Sequence, residues 1–301
     1  MKSPGGSWVV MALGSAAAFA CMGACVRLAT AHLPQSEVVF FRNFFSLLML
    51  LPLLSGQRVT LRTSRFGLHL FRAAAGLAAM YLYFHALANL PLADALLLNY
   101  TSPLFVALSA AVWLKEASTP VRRRALLLGL AGVLLVFHPS SHIASLAGVM
   151  GLASGILAGI ALTAVKQLSD SEPSTRIVVW FALLASLISA VPMAVQFVRP
   201  DAEQWLWLVA TGLLGSLGQL GMTRAYALAP ASQVSPLGYA SLVFAGLLGY
   251  AIWRETPDAL GLVGAIAIIG AGILVARERS EPLPIPPSAV PLTPPVEKRR
   301  P

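Results

Sequence analysis

The sequence predicts an all-α integral membrane protein: ten transmembrane helices in two inverted five-helix repeats. Three observations carry this. The 301-residue chain is 57% hydrophobic and only 11% charged. Soluble proteins carry about a quarter charged residues. Second, apolar runs such as 8–30 and 92–114 are long enough to cross a bilayer. They are too long for the apolar part of a signal peptide. Third, residues 90–116 return at 229–255, 139 positions later. Tyr100 falls on Tyr239, Phe105 on Phe244, Lys115 on Arg254 and Glu116 on Glu255. Upstream, Ser15 falls on Ser154, Arg27 on Lys166 and Val39 on Val178. One offset held across four hydrophobic segments is the mark of a membrane transporter built by duplication.

Apolar runs between charged or Pro/Gly breaks place the spans near 8–30, 36–54, 68–88, 92–114 and 123–138. The second five lie near 145–166, 176–198, 203–225, 231–253 and 258–276. The first repeat is thus 8–138 and the second 145–277. Short connections make neighbouring helices antiparallel hairpins. Five is an odd number, so the second repeat must enter the membrane from the opposite side. The stretch 281–301 is rich in proline and ends in Lys298-Arg299-Arg300. It reads as a disordered cytoplasmic tail.

Basic residues set the orientation. With both termini inside, 17 of the 21 Lys and Arg fall on the cytoplasmic side. Arg58, Arg62, Arg65 and Arg72 form one such flank, and Lys115 with Arg122, Arg123 and Arg124 another. Arg27, Arg199 and Arg254 are left outside, and Arg42 lies within a span. Trp8, Trp113, Trp205, Trp207 and Trp253 fall near helix ends, where amphipathic rings prefer the interface. The chain is placed in the inner membrane, multi-pass, with N- and C-termini cytoplasmic.

The net charge of +9 would suggest anionic partners in a soluble protein. Here the basic residues sit between spans, so topology explains them and nucleic acid is not an expected partner. There is no Gly-Lys-Ser/Thr phosphate loop and no C-x-x-C cluster. No cofactor and no metal site are expected. Cys21 and Cys25 share one helix face and read as small packing residues, with a metal or redox role as the alternative.

Small residues recur at contact spacing: Gly151, Gly155 and Gly159; Gly212, Gly215, Gly218 and Gly221; Gly261, Gly264, Gly270 and Gly272. They let backbones approach closely in lipid. Packing within the bundle is the preferred reading, with a homodimer through such a face as the alternative.

Several strings resemble the EamA-type transporters of the drug/metabolite transporter superfamily. They are Phe40-Phe41-Arg42-Asn43-Phe44-Phe45, Ala86-Leu87-Ala88-Asn89-Leu90-Pro91-Leu92-Ala93-Asp94-Ala95, Trp113-Leu114-Lys115-Glu116 and Ile252-Trp253-Arg254-Glu255. The resemblance covers roughly 8–277. It implies a ten-helix bundle with a central cavity lined mainly by helices one, three, four, six, eight and nine. It also implies alternating access without ATP hydrolysis by this chain. Members of that family carry amino acids, nucleotide-like metabolites, riboflavin, S-adenosylmethionine or opine-type metallophores, and many are exporters.

An ionisable group at membrane depth is costly and usually faces protein or a cavity. Arg42 lies about two turns into helix two and reads either as a carboxylate-binding or gating residue, or as a tie to neighbouring carbonyls. Tyr81 and His85 share one face of helix three. On helix four, Pro103 frees the carbonyl of Asn99, beside Tyr100. A broken helix beside an amide suits a substrate site. Helix nine repeats the pattern with Gln233, Pro236 and Tyr239. Arg42, Tyr81, His85, Asn99, Tyr100, Gln233 and Tyr239 are therefore the candidate cavity residues, each with helix cross-linking as its structural alternative. Glu37, Asp94 and His85 are the candidates for a coupling proton. Asp94 could instead cap helix four.

Together these features point to a secondary transporter, and an exporter in particular, of a small polar or zwitterionic amino-acid-derived metabolite, opine-type metallophores included. A flavin or nucleoside-like solute is the second substrate class. An enzyme would need a nucleophile–base constellation or a ligand cluster at membrane depth, and neither is visible. A non-transporting structural or receptor subunit is disfavoured, because inverted duplication creates two alternately gated faces.

Overall fold

The computed structural model describes residues 6–56, 60–90, 92–137, 145–254, 256 and 258–278. Among these residues are twelve α-helices and one 3-10 segment, and no strand. The first half holds α1 (Ser7–Thr30), α2 (Gln35–Gly56), α3 (Phe66–Asn89), α4 (Leu92–Asn99), α5 (Ser102–Trp113) and α6 (Pro120–Phe137). The second holds α7 (Leu146–Ser169), α8 (Ser174–Gln196), α9 (Ala202–Leu228), α10 (Ala231–Val234), α11 (Ala240–Trp253) and α12 (Ala259–Arg277). Seven stretches are long and apolar enough to cross a membrane. The tail expected at 281–301, together with Pro91 and Glu255, lies outside the described residues.

The two spans at 92–114 and 231–253 are each interrupted near their prolines. Pro103, in the first turn of α5, has no N–H to give to Asn99, so the ladder of α4 stops there. The Thr101 hydroxyl donates instead to the Leu98 carbonyl at 2.6 Å. In the second half the 3-10 segment Ser235–Tyr239, with Pro236 in its first turn, joins α10 to α11.

Local chemistry sets the other boundaries. Ser145 caps α7 by accepting the Gly148 N–H at 3.2 Å. Asp201 and Gln204 form a reciprocal capping box at α9. Asp258 accepts the Gly261 N–H at 2.7 Å to open α12. Beyond α5 and α11, Lys115 (φ 55°) and Arg254 (φ 59°) adopt the left-handed conformation, although neither is glycine. These two residues are the pair matched by the 139-residue offset.

The helices pack in four principal pairs: α1 on α9, α3 on α7, α2 on α8 and α6 on α12. Glycines make the close crossings. A Cβ on Gly132 of α6 would lie 2.7 Å from the Gly264 carbonyl oxygen of α12. One on Gly159 of α7 would meet the Phe105 backbone of α5 at 2.9 Å. Gly151 seats against Leu98, and Gly218 against the Phe19 ring. These contacts are within the bundle, in line with the preferred reading of the glycine ladders.

The largest apolar cluster draws on both halves, with Trp8, Val106, Ala110, Ala125, Val165, Leu168, Ile177, Tyr226, Leu237 and Val275 among its members. It closes one end of the bundle. Trp8 stands in the first turn of α1, near the helix end as expected, and is 5% exposed within this cluster. Polar ties reinforce the same end. The Glu116 carboxylate accepts the backbone N–H groups of Ala231 (2.8 Å) and Ser232 (3.4 Å). Arg122 Nε donates to Glu278 at 2.9 Å, and His69 meets Glu172 at 2.8 Å. At the opposite end the apolar clusters are smaller and separate: one on α1, α2 and α9, another on α3, α4 and α7.

Candidate functional site

A cavity of about 340 Å³ lies between the halves. Its walls come from α1 (Ser15, Phe19), α3 (Arg72, Gly76), the α4/α5 break (Asn99, Tyr100, Ser102), α7, α9 (Gln219, Tyr226) and the α10/α11 junction (Ser235, Ser241). Two further helices each add one residue: Arg42 from α2 and Phe181 from α8. These two stand 139 positions apart.

The breaks explain why polar groups can line this space. The interruption after α4 leaves backbone carbonyls without a helical partner, and Asn99 and Tyr100 beside it line the cavity. Asn99 Nδ2 donates to Ser154 Oγ at 3.3 Å, and Tyr100 shares a hydrogen bond of 3.1 Å with Ser241. The second contact joins the first broken span to the second.

Two guanidiniums dominate the electrostatics. Arg42 and Arg72 are 7% and 3% exposed. Arg42 Nη1 donates to Asn43 Oδ1 at 2.9 Å, and Arg72 Nη2 to Gln219 Oε1 at 2.9 Å. Arg42 Nε, Arg72 Nε and Arg72 Nη1 are buried without a hydrogen-bond partner. Both cations bear on one ring, with Cζ to the Phe181 centroid 5.9 Å for Arg42 and 3.4 Å for Arg72. A cation–π contact contributes about 0.5–2 kcal/mol. On insertion scales an Arg at the centre of a membrane helix costs about 2.5–3.5 kcal/mol. The ring offsets part of that cost and supplies no negative charge. No Asp or Glu is among the described lining residues.

Arg72 corrects the sequence reading. By sequence it belongs with the cytoplasmic flank of Arg58, Arg62 and Arg65. It stands about 9 Å up α3 from Phe66, at 1.5 Å per residue, and packs into the cavity. Proximity to a helix end concealed it. Gln219, its partner 147 positions away, gave no signal of its own.

Of the residues expected to line the cavity, Arg42, Asn99 and Tyr100 do so. Tyr81 is half-buried on α3, away from the lining, with its hydroxyl enclosed and unpartnered. His85 is exposed and adjoins Asn89. Gln233 is fully buried, with Nε2 donating to the Glu278 carbonyl at 3.4 Å. Tyr239 is fully buried with its ring against Gly129 of α6. Among the coupling candidates, Glu37 is buried and accepts the Val198 N–H at 3.0 Å. Asp94 is buried in the first turn of α4. Neither is part of the cavity wall.

The profile of the EamA-like transporter family matches residues 6–138 and again 145–277. The chain belongs to this family. It is a multi-pass membrane transporter, as its EamA relatives are, and not an enzyme. A pseudopaline exporter of Pseudomonas aeruginosa is 34% identical over 275 residues, 91% of this chain and 97% of that protein. A riboflavin transporter of Brucella anthropi is 30% identical over 257 residues, 82% of this chain and 90% of that one. An S-adenosylmethionine uptake transporter of Rickettsia bellii is 25% identical over 274 residues, 91% and 93%. A solved crystal structure superposes with a TM-score of 0.79 at 18% identity, covering 89% of this chain and 96% of its own. That likeness shows the shared fold.

Proposed function

We propose that this EamA transporter is an alternating-access exporter of a small, carboxylate-bearing, amino-acid-derived metabolite of the opine type. The observation that carries this reading is a central cavity with two buried guanidiniums and no acidic residue among its described walls. Such a cavity favours a solute that brings negative charge. Asn99, Tyr100, Ser15, Ser102, Ser235 and Ser241 offer neutral donors and acceptors for the remaining groups. The 34% identity to the pseudopaline exporter supports the same direction and solute class.

The fold supports ten spans: α4 with α5, and α10 with α11, each count as one broken crossing. The packing pairs support two inverted repeats, 8–138 and 145–277. Shifting α1 by 139 residues gives α7, and shifting α3 gives α9. The pair α1/α9 thereby exchanges with α3/α7, while α2/α8 and α6/α12 map onto themselves. The basic flanks support an inner-membrane placement with both termini cytoplasmic. With that orientation the shared apolar cluster around Trp8 lies at the cytoplasmic end.

The test is solute flux in proteoliposomes. Vesicles loaded with an opine should exchange it across the membrane only when the protein is present. Riboflavin flux without opine flux would instead favour the flavin reading, for which Phe19, Tyr100 and Tyr226 supply the aromatic faces.

A further inference from the structure

We propose that Arg42 and Arg72 form a two-carboxylate clamp, so that the transported solute carries at least two carboxylates. Arg72 is then a specificity-determining residue. This rests on the reading of the central cavity as the substrate's passage.

Each guanidinium has five N–H donors in a rigid fork that matches a carboxylate in bidentate fashion. Arg42 commits one nitrogen to Asn43, its own chain neighbour, and Arg72 one to Gln219. The first bond ties no helix to another, so it does not account for a buried charge. The second joins α3 to α9 through a single nitrogen of Arg72. Three nitrogens remain buried and unpartnered: Arg42 Nε, Arg72 Nε and Arg72 Nη1. Nothing balances these charges locally, since no ion pair among the described residues includes either arginine. Phe181 packs against both cations and accepts no proton. A single carboxylate would leave one net positive charge buried without compensation. Two carboxylates satisfy both forks and cancel both charges. A neutral flavin has acceptors for these donors but would leave both positive charges uncompensated. A secondary amine between two carboxylates, as in an N-(carboxyalkyl) amino acid, would then face the neutral oxygens of Ser102, Ser241 and Tyr100.

The experiment is isothermal titration of the full chain in detergent. The dicarboxylate probes are N-(1-carboxyethyl)alanine and succinate, and N-ethylalanine is the monocarboxylate match. Wild type should bind a dicarboxylate probe at least tenfold more tightly than N-ethylalanine. Arg42→Gln and Arg72→Gln should each remove that preference while leaving N-ethylalanine binding little changed. Arg72→Lys, which keeps the charge and loses the fork, should restore part of it. Should the Gln variants fail to fold, the wild-type preference alone decides. Equal affinity for both probe classes, or no binding of either dicarboxylate, overturns the clamp. Opine flux in proteoliposomes of the same protein would leave the exporter reading standing. Absence of all flux would remove that reading too.

Discussion

The guanidinium carbon of Arg72 lies 3.4 Å from the centroid of the Phe181 ring. Phe181 stands where the 139-residue offset would place a second copy of Arg42. One half therefore contributes cations and the other the ring that supports them. A repeat that kept arginine at position 181 would have put a third guanidinium into the same cavity. The asymmetry makes the contact measurable. In a double-mutant cycle of Phe181→Leu with Arg72→Gln, unfolding in detergent should show a coupling of about 0.5–2 kcal/mol. Additive effects would mean that the ring only fills space.

The α6/α12 crossing should be intolerant of a methyl group. A Cβ on Gly132 would lie 2.7 Å from a backbone oxygen that cannot swing aside. Gly132→Ala should destabilise the protein by about 1–3 kcal/mol. Gly14→Ala and Gly23→Ala, where nothing lies within 4 Å, should change stability little. A melting temperature for Gly132→Ala equal to wild type would show that the helices separate at no cost.

Lys115 holds φ at 55°, one residue beyond Leu114, the C-cap of α5. The left-handed region costs a non-glycine residue about 1–2 kcal/mol. Lys115→Gly should therefore raise the melting temperature, and Lys115→Ala should not. No gain for glycine would mean that the Lys115 side chain itself stabilises the turn.

Glu116 lies in the connection after α5 and accepts two N–H groups at the start of α10. Burial pushes its carboxyl above the usual carboxylate range, against the opposing pull of Lys166, the Ser232 and Ala231 N–H groups and Arg122. A carboxyl whose folded value is raised contributes stability that is present at low pH. That contribution is lost as pH rises through the raised value. The stability of wild type relative to Glu116→Gln should therefore fall as pH increases from about 4 upward, then level off. A difference that stays flat, or that grows with pH, would assign the N–H bonds the larger effect.

The topology is open to a direct check. A reporter active only in the periplasm, fused after Ala276, should be silent. Strong activity there would sink the inverted arrangement of two odd-numbered repeats.

Much of this protein is determined by its sequence alone. Apolar runs of bilayer length place the helices within a few residues. Pro103 and Pro236 mark the breaks, because a ring without an N–H interrupts the ladder in any environment. The strings around Arg42 and Glu116 carry the family. The sequence does not determine which face of each helix meets the cavity. In a soluble helix polar residues mark the solvent side. In a membrane helix lipid and protein interior are equally apolar, so periodicity says little about direction. Tertiary structure decided that Arg72, apparently a flanking charge, stacks on Phe181 and holds Gln219. It also decided that Gln233 and Tyr239 turn into the packed interior. The 3-10 segment that ends at Tyr239 winds at three residues per turn instead of 3.6. Its side chains therefore rotate away from where an unbroken helix would have aimed them.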